Sequence, residues 1–219
     1  MTASYTDRTE TRQAIIDACL KLNGEGINQG TSGNVSVRVA EGMLITPSGV
    51  PYEAMTPDMI QTVPLDGLPQ PQGRLKPSTE WRFHQALLAA KPEMHAVVHA
   101  HPVHCTALAQ NRMAIPPVHY MVAAFGGHDV PLAGYALFGG EEQANNVVSA
   151  MKGRHACLMA NHGATVVGET LDKALWRMGE LETLARGYLL SLSVGKPHLL
   201  DRFQIEEAYD AFRGYGPQD

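Results

Sequence analysis

The sequence predicts a mixed or antiparallel β-sheet with helices packed on its faces. Three observations carry this. Short β-branched runs, such as Ala96-Val97-Val98 and Thr165-Val166-Val167, alternate along the chain with stretches whose apolar residues recur at helical spacing. The strand candidates at 34–39 and 42–46 are separated by too few residues for a crossover, so they pair as a hairpin. No linker, internal repeat or low-complexity tract divides the 219 residues, a length that supports one domain with a full core.

Residues 9–24 place Ala14, Ile15, Ala18, Cys19 and Leu22 on one helical face, with Gly24 and Gly26 as the stop. After the hairpin, 57–60 reads as one helical turn, 60–65 as a short strand, and Asp66-Gly67 as a turn. Residues 80–90 form an amphipathic helix stopped near Lys91-Pro92. The run from Ala96 to His101 is a buried strand ended by Pro102, and 104–110 begins another helix. Residues 116–121 read as extended, 139–151 as a helix, and 156–161 and 164–168 as strands. The segment 170–194 is a long helix with Leu175, Met178, Leu181, Leu184, Tyr188 and Leu192 along its apolar face. A short helix around 206–212 lies in the tail, 196–219.

Composition narrows the function. The chain is 44% hydrophobic and 18% charged, with a net charge of −5 and no basic stripe, which argues against a nucleic-acid partner. No apolar run approaches the 18 or so residues of a membrane span. The first residues lack the charged-then-apolar order of a signal peptide. Cys19, Cys105 and Cys157 are odd in number and far apart, as expected of buried thiols in a reducing cytoplasm.

The sharpest chemical signal is His99-Ala100-His101 at the end of an apolar strand. Residues i and i+2 of a strand face the same way, about 7 Å apart at their backbones for a rise of roughly 3.3 Å per residue. Two such imidazoles can be satisfied by hydrogen bonds in a core. As a pair on an apolar strand, they point rather to a metal ion, whose zinc–nitrogen bonds need about 2.0 Å. His162 is a third candidate, ending an apolar strand just before Gly163. Three histidines with an open position are the pattern of a catalytic zinc site. Ser78, Thr79 and Glu80 open the 80–90 helix, where hydroxyls and a carboxylate serve as a cap. A helix N-terminus bearing two hydroxyls also seats a phosphate, and Glu80 is a possible general base. The loops Gly30-Thr31-Ser32-Gly33-Asn34 and Ile45-Thr46-Pro47-Ser48-Gly49 can present amides to an anion, although taken alone each reads first as a plain turn. Tyr120 is a candidate proton donor that also suits a core or interface.

These residues resemble the class II aldolase/adducin family, over about 13–216. The landmarks are Asn28-Gln29-Gly30-Thr31-Ser32-Gly33-Asn34-Val35-Ser36-Val37-Arg38, Leu44-Ile45-Thr46-Pro47-Ser48-Gly49-Val50-Pro51-Tyr52-Glu53, Pro77-Ser78-Thr79-Glu80-Trp81-Arg82-Phe83-His84, Val97-Val98-His99-Ala100-His101, His119-Tyr120-Met121 and Lys173-Ala174-Leu175-Trp176. The resemblance implies a single-domain three-layer sandwich spanning 1–219, with a mostly antiparallel central sheet. It implies a lyase that reversibly cleaves a phosphorylated sugar, a ketose 1-phosphate, into dihydroxyacetone phosphate and an aldehyde. His99, His101 and His162 would hold one Zn2+ per subunit, and Glu80 would be the acid/base. Asn34, Ser48, Gly49, Ser78 and Thr79 would bind the phosphate. Tyr120, from a neighbouring subunit, would protonate the departing aldehyde oxygen, and Phe138 and Tyr215 would line the aldehyde end. A homotetramer with active sites between subunits is also implied. The chain has Ala100, Asn161 and Ser48 where the family often has Asn, His and Thr; none of these changes removes a ligand. The same scaffold resembles sugar-phosphate epimerases and dehydratases, aldolases for 5-deoxy- or methylthioribulose 1-phosphate, and non-catalytic adducin-like binding domains. The three histidines with Glu80 favour the enzyme.

Overall fold

A computed structural model describes residues 5–70 and 73–213. In chain order the elements are α1 (Thr9–Gly24), β1 (Asn34–Val39), β2 (Gly42–Ile45), β3 (Gln61–Val63), α2 (Trp81–Ala90), β4 (Ala96–Ala100), α3 (Val103–Gln110), β5 (Leu132–Ala133), α4 (Glu141–Ala150), β6 (Ala156–Met159), β7 (Gly163–Gly168), α5 (Leu171–Val194) and α6 (Arg202–Arg213). Three 3-10 segments, Tyr52–Ala54, Pro57–Met59 and Tyr120–Phe125, punctuate them.

The strands form one sheet in the order β3-β2-β1-β4-β7-β6-β5. Every pairing is antiparallel except β5 with β6. The sheet is covered on both faces. Alternate residues of β4 divide between two cores: Ala96, Val98 and Ala100 join a cluster with α1, α3 and α5, while Val97 joins one with α2 and α4. His99 has the parity of Val97 and faces the α2/α4 layer, where Phe83 meets its ring edge-on at 5.5 Å. This is the expected three-layer arrangement. Arg38 of β1 anchors the C-terminal end of α2, donating to the carbonyls of Leu88, Lys91 at 3.2 Å and Met94 at 3.1 Å. Glu80 stands at the opposite end of that helix.

Several local expectations shift. Residues 116–121 do not stay extended. His119 Nδ1 accepts the Met121 amide at 3.2 Å and starts the Tyr120–Phe125 3-10 helix, which Gly126 ends in the left-handed region at φ 86°. The tail helix begins four residues before the expected 206. Asp201 and Gln204 form a reciprocal capping box, each side chain accepting the other's backbone N–H at 2.9 Å. β5, two residues long, is too short to show any periodicity in the sequence. α5 runs 24 residues, about 36 Å at 1.5 Å per residue, against about 20 Å for a six-residue strand, so its last turns overhang the sheet and Leu192 is exposed.

Close backbone approach at the end of β4 requires glycine at two places. A Cβ on Gly33 (φ +78°) would lie 2.4 Å from the His99 carbonyl oxygen, and one on Gly163 would lie 2.4 Å from that of Ala100 and 2.8 Å from His101 Cδ2. Gly33→Ala and Gly163→Ala are each expected to cost roughly 2–4 kcal/mol, since a steric clash with backbone cannot relax cheaply. Gly187→Ala, in open space on α5, is expected to gain up to about 1 kcal/mol. Denaturant midpoints of the three variants check this; equal midpoints would show that the sheet end is not packed as described.

Candidate active site

Three elements bring the histidines together. His99 lies in β4, paired with Asn34 of β1 on one side and Thr165 of β7 on the other. His101 follows at the strand exit, its backbone N–H held by Asn28 Oδ1 at 3.1 Å. α3 starts two residues later, with Glu182 of α5 accepting the His104 and Cys105 amides at 3.0 Å each. His162 sits in the β6–β7 turn, where Asn161 adopts φ 54° and the His162 amide closes onto the Met159 carbonyl at 3.0 Å. Asn is among the side chains that tolerate this left-handed conformation. The three imidazole centroids form a near-equilateral triangle with sides of 4.8, 4.9 and 5.0 Å.

This geometry fits a divalent metal. His99 Nδ1–H donates to the Ala164 carbonyl at 2.9 Å, which fixes the tautomer and leaves Nε2 for a ligand. His99 Nε2 and His101 Nε2 are 3.2 Å apart. Two nitrogens about 2.05 Å from a tetrahedral zinc would be about 3.3 Å apart. One candidate nitrogen from each of the three residues lies within 4.8 Å of the others.

Glu80 occupies the fourth corner. Its Oε2 is 3.2 Å from His99 Nε2 and its Oε1 is 3.5 Å from His162 Nε2. The residue is 6% exposed. Each carboxylate oxygen holds one amide donor: Asn34 Nδ2 at 3.0 Å on Oε2, and Gln143 Nε2 at 2.7 Å on Oε1. Behind Asn34, the buried His84 donates from Nε2 to Asn34 Oδ1 and accepts from Ser36 Oγ at 2.7 Å through Nδ1, the tautomer that satisfies every partner. Burial pushes His84 down to about 3, so this imidazole is neutral.

Charge follows from these contacts. Burial alone would raise the Glu80 carboxyl, but charge and hydrogen bonding from His99, then His162 and the Asn34 amide, outweigh it and hold the group well below the usual carboxylate range. Burial works against protonated His99, yet Glu80 and the Ala164 carbonyl raise it above its ordinary value. His101 and His162 are pushed down to about 4, by burial first and then by the positive charge on His99. Both therefore offer neutral lone pairs at pH 7.

The anion loops lie alongside. Pro47 and Pro77 form an antiparallel bridge, the Ser48 amide bonds to Lys76 O and the Ser78 amide to Thr46 O, each at 2.9 Å, so the loops are zipped together. Ser78 is buried, and its Oγ accepts the Glu80 amide at 3.3 Å. Ser48 and Thr79 line a cavity of about 600 Å3 with Phe138, Arg74, Lys76 and Arg82. Gly49 is exposed beside them. Asn34 is buried and spends its side chain on Glu80 and His84. Tyr120, 53% exposed, stacks on His119 at 4.6 Å and on Phe212 of α6 at 6.1 Å. It lines a separate groove with Trp176 and Tyr209, whose described walls include none of the three histidines. Tyr215 lies outside the described residues. Sequence reasoning missed Gln143 and took His84 for an ordinary core residue. It also missed the knot in which Tyr52 Oη donates to Ser32 O at 2.6 Å and Asn28 grips both Ser32 and the His101 amide. Their only signal is polarity at buried helical or turn positions.

Residues 13–189 match the model of the class II aldolase and adducin N-terminal domain. The chain belongs to the class II aldolase and adducin family. An L-fuculose phosphate aldolase of Escherichia coli (strain K12) is 44% identical over 211 residues, covering 96% of this chain and 97% of that protein. A 5-methylthioribulose-1-phosphate/5-deoxyribulose-1-phosphate aldolase of Escherichia coli O45:K1 is 45% identical over 214 residues, covering 96% and 98%. A solved L-fuculose 1-phosphate aldolase superposes with a TM-score of 0.90 at 33% identity, covering 94% of this chain and 97% of that one. This member of the family is an aldolase, a carbon–carbon lyase with a histidine triad able to bind metal. Among the described residues, no helix is long and apolar enough to cross a membrane.

Replacing His99, His101 or His162 with Ala should each sharply reduce the divalent metal the chain takes up, read by elemental analysis. The electrostatics also set an order: as pH falls, His99, raised by Glu80, takes up a proton before His101 and His162, which stay neutral down to about 4, so bound metal should be lost progressively as pH falls. Metal binding indifferent to pH down to about 4 would contradict this electrostatic picture.

Proposed function

We propose that this chain is a zinc-dependent aldolase that reversibly cleaves a ketose 1-phosphate, L-fuculose 1-phosphate or a close analogue, into dihydroxyacetone phosphate and an aldehyde such as L-lactaldehyde. The observation that supports it best is Glu80 held, ionised and doubly hydrogen-bonded, against three convergent imidazoles. His99, His101 and His162 would hold the zinc. Bound there, zinc supplies a Lewis acid that steadies the charge developing as the carbon–carbon bond breaks. Glu80 would deliver a proton to C3 of the cleaved ketose in the forward direction and remove it in the reverse.

Ser48, Gly49, Ser78 and Thr79 would bind the phosphate through hydroxyls and backbone amides. Asn34 would join them with the second amide hydrogen that Glu80 leaves free. Phe138 and Tyr215 would line the aldehyde end. Tyr120, away from its own triad and exposed, would serve a neighbouring subunit of a cytoplasmic homotetramer, taking up the C4 hydroxyl proton during cleavage and returning it to the aldehyde oxygen during synthesis. A second reading, an aldolase for 5-methylthioribulose or 5-deoxyribulose 1-phosphate, draws support from relatives of that name as similar as the fuculose-phosphate ones. Only the end group of the aldehyde differs.

A panel of ketose 1-phosphates, incubated with zinc-loaded protein and followed by dihydroxyacetone phosphate release, tests both. Release from L-fuculose 1-phosphate is expected, and a chelator should abolish it. Release from the sulfur-bearing or deoxypentose substrate alone would select the second reading; release from none, or turnover indifferent to chelator, would refute the aldolase proposal. Glu80→Gln should cut kcat about 10²–10⁴-fold with zinc still bound, the usual reach of a general acid/base.

A further inference from the structure

Gln143 is the third residue of α4, after Glu141 and Glu142, and a glutamine there has an ordinary structural use. At N3 it reaches back to a free amide ahead of the helix. Gln143 does this, its Oε1 accepting the Gly139 N–H at 2.6 Å. That use needs only the carbonyl end and an exposed position. Here the side chain is 3% exposed, and the other end of the same amide donates to Glu80 Oε1 at 2.7 Å and lies 3.3 Å from His162 Nδ1. The turn it grips is held from three sides. Gly139 O accepts Arg82 Nη1 at 2.9 Å, and Gly139 packs so closely on Thr79 that a Cβ would come within 2.6 Å of the Thr79 carbonyl oxygen. Phe138, at the mouth of the cavity, is the preceding residue of this turn.

We propose that Gln143 is a positioning residue for the acid/base: one planar amide fixes the Phe138–Gly139 turn at one end and aims the Glu80 carboxylate at the other. The inference rests on the aldolase reading above. Asn34 and Gln143 hold one carboxylate oxygen each, so losing either leaves that oxygen without an amide donor and the carboxylate less firmly aimed. A general acid/base is sensitive to this, because a displacement on the order of 1 Å can cost about 10²-fold in rate.

Gln143→Glu separates the two uses. A glutamate at N3 still accepts the Gly139 amide and suits the positive end of the helix, but ionised it sets a like charge against Glu80 in place of a donor, and the uncharged Gln143→Met measures loss of the donor without that repulsion. The decisive readout is exchange of the hydroxymethyl hydrogen of dihydroxyacetone phosphate with D2O. That half-reaction needs the acid/base and zinc but no aldehyde: the substrate C–H loses its proton to Glu80, and a deuteron returns to the same carbon. With zinc content and thermal midpoint close to wild type, Gln143→Glu should lower the exchange rate and kcat together, by about 10–10²-fold, with KM for the ketose phosphate within about twofold. Should that variant not fold, Gln143→Met, uncharged and similar in size, should show the same fall in exchange. Wild-type exchange in the folded variant, or a loss confined to KM, means that Gln143 only supports the turn and overturns the inference while the aldolase reading stands. A wild-type enzyme that neither exchanges nor cleaves any ketose 1-phosphate removes both.

Discussion

Burying a carboxylate costs several kcal/mol unless positive charge and hydrogen bonds replace the water it loses. Glu80 has both. It stands at the N-terminal end of α2, where the helix dipole favours an anion, and two amides and two imidazoles complete its surroundings. The rest of the site depends on this arrangement. Without positive charge beside it, Glu80 would take up a proton and could not act as a base; without Glu80, His99 would have little reason to be charged. A metal ion among the three nitrogens would supply the same positive charge more strongly.

The fold supplies this environment by converging backbones. β4 carries His99 and ends at Ala100, with His101 at its exit, because Pro102 cannot continue the ladder. The loop before β1 and the turn between β6 and β7 close around that end from opposite sides, each through a glycine with no room for a side chain. α2, tied to β1 by Arg38, delivers Glu80, and α4 delivers Gln143. Carbonyl-anchored His99, the Asn28–Tyr52 knot and the Ser36–His84–Asn34 chain leave the acid/base and the ligands few alternatives, the preorganisation that electrostatic catalysis requires.

Much of this was legible in the sequence because it is local. Period-two alternation places His99 and His101 on one face, Gly163 marks the turn that carries His162, and Ser78-Thr79-Glu80 marks a helix start. The mixed sheet with helices on its faces follows from the hairpin and from strands interspersed with helices; the order of the strands, set by pairings between distant segments, does not. Pairings across long separations were not legible. Gln143 and Glu80 are 63 residues apart, and nothing near either names the other. His84 has the same local pattern as a core histidine. The 3-10 helix at Tyr120 depends on a histidine capping two residues ahead, which two prolines in Ile115-Pro116-Pro117 disguise as extended chain. The Asp201–Gln204 capping box was present in the sequence, but in a tail with little apolar periodicity to draw attention to it.

The central claim is that three imidazoles from β4, its exit and the β6–β7 turn share one metal ion. X-ray absorption on the zinc-loaded protein measures this directly. The account predicts three imidazole nitrogens at about 2.0–2.1 Å with an oxygen completing the shell, and two imidazoles in any residual metal held by His162→Ala. A shell with one imidazole or none, or with sulfur at about 2.3 Å, would contradict it.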